Sequence, residues 1–157
     1  MKINVLFVCL GNICRSPTAE AVFRSKATSA GIIGQVFIDS CGTGGYHEGE
    51  SPDPRAQQAG KQNGYDLSSI KARKITHSDF EKFDYILPMD KQNYSNLLAM
   101  SDAQYHHKIK LFLDYADGCT EKEVPDPYYG GEDGFGHVID LIEQASNGLV
   151  EEIMRKL

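Results

Sequence analysis

Apolar and polar positions change period several times along the chain, and each change marks an element. Ile3 to Val8 is almost continuously apolar and rich in β-branched residues, the pattern of a strand buried on both faces of a parallel sheet. Gly11-Asn12 then reads as a loop, and Ser16-Pro17 as a helix start with Ser as cap and Pro in the first turn. Ala19, Val22, Phe23, Ala27 and Ala30 follow at helical spacing, and Gly31 is the expected stop. Val36 to Cys41 predicts a second strand and residues 54–63 a second helix closed by Gly64. Asp79 to Lys82 predicts a single helical turn, Tyr85 to Met89 a third strand, and Lys91 to Ala99 a helix. Ile109 to Leu113 predicts a fourth strand. Phe135, Val138, Ile139, Ile142, Ala145, Leu149 and Ile153 mark one face of a long final helix.

Strands alternating with helices imply an α/β chain with a parallel sheet and right-handed crossovers. The expected architecture is a three-layer sandwich with a central four-stranded parallel sheet in the order 2-1-3-4. It is flavodoxin-like or Rossmann-like, with helices on both faces. A length of 157 residues fits one domain over residues 1–157.

Composition narrows the function. The formal net charge is −6 and the basic residues are scattered, so nucleic acid is an unsuitable partner. No apolar run is long enough to insert in a membrane. The first apolar run is too short for a secretory signal, which makes a cytoplasmic location the default. There thiols stay reduced. Cys9, Cys14, Cys41 and Cys119 fit no zinc spacing. His47, His77, His106, His107 and His137 form no ligand spacing and read as surface or structural residues.

The informative segment is Cys9-Leu10-Gly11-Asn12-Ile13-Cys14-Arg15-Ser16. Its cysteine ends a strand and its arginine opens a helix. The backbone N–H groups between them can turn inward to form a nest for a tetrahedral oxyanion, with a helix N-terminus beneath. Arginine and a helix N-terminus both favour a thiolate, the form a nucleophile needs. Arg15 can hold two phosphoryl oxygens with its planar fork. Gly11 and Asn12 tolerate the left-handed angles of a tight nest, and Ser16 can donate its hydroxyl to the sulfur. A cysteine alone is more often a core residue; the ordered C-x5-R-S between strand and helix is what points to chemistry.

Residues 6–17, with Asp39-Ser40, Ser51-Pro52-Asp53-Pro54-Arg55, residues 83–87 and Asp126-Pro127-Tyr128-Tyr129-Gly130 in order, resemble the low-molecular-weight protein tyrosine phosphatase family over essentially the whole chain. The resemblance implies a protein-tyrosine-phosphatase acting on phosphotyrosine proteins and small aryl phosphates. Cys9 would be the nucleophile of a phosphocysteine intermediate, Asp126 the general acid and base, and Arg15 the oxyanion holder. Leu10, Gly11, Asn12, Ile13, Cys14 and Ser16 would form the phosphate loop, and Tyr46, Tyr128 and Tyr129 the walls of the pocket. Ser40 would support Asn12, and Asp90 would orient Arg15. Cys14 would be a redox partner able to form a reversible disulfide with Cys9. No metal or cofactor is implied, inorganic phosphate is the product, and the protein would be a monomer or weak homodimer.

One position departs from that pattern. Ile70 stands where the family often has a histidine that braces the Asn, and Ile cannot make that bond. Two other enzymes share the loop. Arsenate reductases relay oxidation through further cysteines near a mobile segment, and residues 80–94 contain none. Arginine phosphatases tend to carry Thr at the position of Ile13. A non-catalytic oxyanion-binding or redox-sensing module is the third alternative, and the presence of Cys9, Arg15 and Asp126 together argues against it.

Overall fold

The computed structural model describes residues 2–127 and 133–157. Strand β1 (Ile3–Cys9) is the centre of a parallel sheet, with β2 (Val36–Gly42) on one side and β3 (Tyr85–Pro88) on the other. Val5 stands opposite Ile38 and Tyr85, and Val8 opposite Cys41 and Pro88. The near-continuous apolar run of β1 has a direct cause, because successive side chains enter different cores. Val5, Phe7 and Cys9 join one cluster with residues of α1 (Arg15–Ser29), α2 (Pro54–Gln62) and α5 (Asp133–Lys156). Leu6 and Val8 join a second with Phe80 of α3 (His77–Lys82) and Leu97 of α4 (Lys91–Met100). The sheet is therefore the middle of three layers.

Phe7 is the hub of the larger core. Its ring meets Phe23 of α1 and Phe112 edge-on, at 5.6 and 5.0 Å between centroids. Each such pair adds about 0.5–1.5 kcal/mol beyond area burial. Two residues on, Cys9 points to the same side, so this packing fixes the end of the strand that carries the thiol. The expected apolar face of α5 is buried throughout, from Phe135 to Ile153.

The sheet has three strands among the described residues, not the expected four. Ile109 makes a single parallel bridge to Ile86, and the Lys110 N–H donates to the Ile86 carbonyl at 3.2 Å. The chain then leaves the sheet in a 3₁₀ turn, Phe112–Tyr115. A strand would send Phe112 and Leu113 to opposite faces, whereas both are buried in the same cluster. The turn satisfies that demand and the fourth strand is lost.

The start of α1 also differs. The helix begins at Arg15, and Cys14 occupies the cap position without a side-chain bond. Ser16 is not the cap, because its hydroxyl turns back toward Cys9. Among the described residues no helix is long and apolar enough to cross a membrane.

Helix α5 presses against the turn after Ile109. A Cβ on Gly148 would lie 1.7 Å from the Tyr115 carbonyl oxygen. Gly→Ala inside a helix ordinarily stabilises by about 1 kcal/mol. Here overpacking should reverse the sign, and Gly148→Ala should lose about 1–3 kcal/mol in urea denaturation. A neutral or stabilising result would contradict this close approach.

Candidate active site

Cys9 is the last residue of β1 and Arg15 the first of α1, so the loop between them is clamped at both ends by regular structure. Its outer side is tied to the segment after β2. Thr43 N–H donates to the Cys9 carbonyl at 2.9 Å and Gly44 N–H to the Leu10 carbonyl at 3.0 Å. The carbonyls thus face outward and leave N–H groups to face in. Asn12 N–H points at Cys9 Sγ from 3.3 Å, and Ser16 Oγ lies 3.0 Å from the same sulfur.

The turn requires a left-handed residue, and Asn12 takes it with φ 57°. Its side chain is fully engaged. Nδ2 donates to Ser16 Oγ at 2.7 Å and Ser40 Oγ at 3.1 Å, while Oδ1 accepts from Arg73 N–H at 3.0 Å. Ser40 in turn donates to Glu20 Oε1 at 2.7 Å. This is the brace built without the histidine. Ile70 packs against the main core, a backbone N–H holds the Asn, and a buried carboxylate holds the Ser. Arg73 is fixed in place by ion pairs to Asp39 at 3.0 Å and Asp79 at 2.9 Å.

Arg15 is nearly buried, with 4% of its side chain exposed, and is aimed by two anchors. Nη1 donates to Asp90 Oδ2 at 2.7 Å and to the Val124 carbonyl at 3.0 Å. Asp90 also caps α4 by accepting Asn93 N–H at 2.7 Å, so it is both cap and orienter. Val124 N–H donates to the Met89 carbonyl at 2.8 Å, hooking its segment onto the end of β3. That hook carries Asp126, two residues on, to 3.7 Å from Arg15 Nη2. Burial opposes charge on the Arg15 guanidinium, but Cys9, Asp90 and Asp126 outweigh it and hold its pKa above the ordinary value.

These groups line one cavity of about 350 Å³, with Cys9, Gly11, Cys14, Arg15 and Asp126 around it and Leu10, Ile13 and Tyr46 as apolar walls. Each of these is a candidate named from the sequence, and the structure places them around one cavity, while Asn12 and Ser16 brace the loop from behind. Tyr128 and Tyr129 lie outside the described residues. His47, read from spacing as a surface or structural residue, also lines the cavity and pairs with Glu50 at 2.8 Å. Its position directly after Tyr46 was the available signal.

The two cysteines of the loop are not equivalent. Burial, Asp53, Cys9 and Asp126 push the Cys14 thiol up to about 12, so it keeps its proton. All four cysteines are free.

Glu20 was missed by sequence reasoning; the signal was a carboxylate between Ala19 and Ala21 on the inner side of α1. Burial raises its pKa above the usual carboxylate range, against the Ser40 hydrogen bond that lowers it. The folded state then binds this proton more tightly than the unfolded chain, so the carboxylate costs stability as pH rises past its unfolded value. Glu20→Gln removes that slope. In urea denaturation the variant should gain on the parent as pH rises above about 4, where the unfolded carboxylate loses its proton first. A constant or shrinking gap would contradict the raised pKa.

Residues 4–157 match the model of the family described as low molecular weight phosphotyrosine protein phosphatase. A protein of that description from Schizosaccharomyces pombe is 49% identical, with 94% of this chain and 96% of that protein covered. A low molecular weight protein-tyrosine-phosphatase of Bacillus subtilis is 40% identical over 98% of this chain and 97% of its own. A crystal structure of a protein tyrosine phosphatase from Entamoeba histolytica, with Hepes in its active site, superposes with a TM-score of 0.95. It is 45% identical and covers 99% of this chain and 100% of that one. The chain belongs to the low molecular weight phosphotyrosine protein phosphatase family.

Proposed function

We propose that the chain is a single phosphatase domain that hydrolyses phosphotyrosine in proteins, and small aryl phosphates, through a phosphocysteine on Cys9. One observation carries the assignment of roles: Cys9, Arg15 and Asp126 line one cavity, with Arg15 Nη2 3.7 Å from the Asp126 carboxyl. The Cys9 thiolate attacks phosphorus in line and the P–O bond to the tyrosyl oxygen breaks. Asp126 gives its proton to that oxygen. Water then attacks the phosphocysteine, Asp126 takes the proton, the S–P bond breaks, and inorganic phosphate leaves. Arg15 and the loop N–H groups hold the equatorial oxygens through both steps. Ser16, 3.0 Å from the sulfur, donates to the thiolate when it is the leaving group.

Depth and wall chemistry favour an aryl ester. Cys9 is only 3% exposed, below the walls made by Leu10, Ile13 and Tyr46. A phenyl ring spans that depth and stays in apolar contact, whereas a serine phosphate is too short to do both. The free thiols suit a cytoplasmic enzyme.

Cys14 adds a protective role. It lines the same cavity as Cys9 and holds its proton. Peroxide converts Cys9 to a sulfenic acid, and the Cys14 sulfur displaces water from it to close a disulfide. Thiols then restore both cysteines.

Cys9→Ser should lower kcat on an aryl phosphate by roughly 10⁴-fold or more. Asp126→Ala should lower it by about 10²–10⁴-fold for a phenol of high pKa and far less for a nitrophenol, whose leaving group needs little protonation. Equal losses on both esters would remove Asp126 from the acid role. After peroxide, dithiothreitol should restore the parent enzyme but not Cys14→Ser; equal recovery would remove the protective role.

A further inference from the structure

A second groove opens beside the phosphate cavity and shares two of its walls. Leu10 and Tyr46 line both, and the groove continues over the Thr43–Gly44 backbone to Asn96, Ala99 and Met100 at the end of α4. It measures about 280 Å³. None of its lining residues is charged, on a chain whose formal net charge is −6. Leu10 and Tyr46 are 42% and 75% exposed, and they are two of the five large hydrophobic side chains that stand in solvent among the described residues. Exposed apolar side chains grouped at one place, rather than scattered, mark a contact surface.

The groove is built, not incidental. Gly44 N–H is bonded to the Leu10 carbonyl, so its floor is tied directly to the phosphate loop. The Tyr46 ring lies across Gly44, where a Cβ would come within 2.3 Å of it. A glycine there leaves room for the ring to lie close over the backbone. On the far side Ala99 is exposed, while Met100 packs against the smaller core and keeps its position.

We infer that this groove is a specificity subsite that takes an apolar side chain of the substrate polypeptide, from a residue close in sequence to the phosphotyrosine. The inference depends on the phosphatase reading above. A phosphotyrosine seated with its ring against Leu10 and Tyr46 has its own backbone at the mouth of the cavity. Because the same two residues line the groove, the chain on one side of the phosphotyrosine reaches it directly. An aliphatic side chain there removes apolar surface of Leu10, Tyr46, Ala99 and Met100 from water. A charged side chain would be desolvated among groups that offer it no counter-ion. The groove lies outside the phosphate cavity, so it discriminates between peptides without acting on the ester.

The test uses the intact protein and phosphotyrosine peptides in a Gly-Ser background, with one Leu, Lys or Asp at each position up to two residues either side. A small aryl phosphate serves as the reference substrate. At one of these positions Leu should raise kcat/KM about tenfold over both Asp and Lys. Ala99→Glu and Ala99→Lys change an exposed helix position to good helix formers, so both should fold. Each should reduce that Leu preference to less than about threefold while changing aryl phosphate turnover by less than about twofold, and the Lys variant should favour the Asp peptide. A long-range charge effect alone would move the two variants in opposite directions on the Leu peptide. Parent enzyme that is active on the aryl phosphate yet shows no Leu preference overturns the subsite, as does a preference unchanged in both variants. Parent enzyme inert toward the aryl phosphate overturns the phosphatase reading itself.

Discussion

A loop that turns its amide groups inward around a thiol must pass through a backbone conformation that side-chain-bearing residues disfavour. Here Asn12 pays that penalty at φ 57°, and it is the only described residue other than glycine with a positive φ. Left-handed backbone at such a residue costs about 1–2 kcal/mol, least for Asn. The structure offsets it by giving both ends of the Asn12 amide group a partner. Arg73, Ser40 and Ser16 come from three different segments, so the loop shape depends on β2, α1 and the strap before α3 being in place together. Release any one and the inward amides lose their direction.

The same economy governs the charged groups. Arg15 is buried beside the sulfur, where an unpaired guanidinium would be costly, and Asp90 and the Val124 carbonyl supply its partners. Those partners also determine the direction of the fork. Asp90 has a second task as the cap of α4, and the Val124 segment delivers Asp126. Stability and the placement of the proposed acid are thus consequences of the same few hydrogen bonds. Glu20 is the exception, a carboxylate held in the core to grip Ser40 at a cost in stability.

Much of this was legible in the chain. The apolar run before Cys9, the helical spacing after Pro17 and the face of the last helix each follow from local periodicity, and all three elements form. The loop residues were legible because C-x5-R between strand and helix has few other uses. What stayed hidden depends on contacts across the fold. Ile109 to Leu113 has the composition of a strand, but two consecutive side chains are drawn into one core and the sheet stops at three strands. Ser16 has the character of a cap, but the sulfur competes for its hydroxyl. The replacement for the absent histidine could not be read from Ile70, because it comes from Glu20, fifty residues earlier, and from the backbone at Arg73.

The central claim is that phosphoryl transfer passes through Cys9. Mass spectrometry of enzyme quenched in acid during turnover of an aryl phosphate reads this directly. The account predicts a phosphoryl group on the peptide that contains Cys9, present in the parent protein and accumulating in Asp126→Ala with a nitrophenyl ester, since water then attacks without its base. Turnover with no phosphorylated cysteine in either protein, or with the phosphoryl group on another residue, would contradict it.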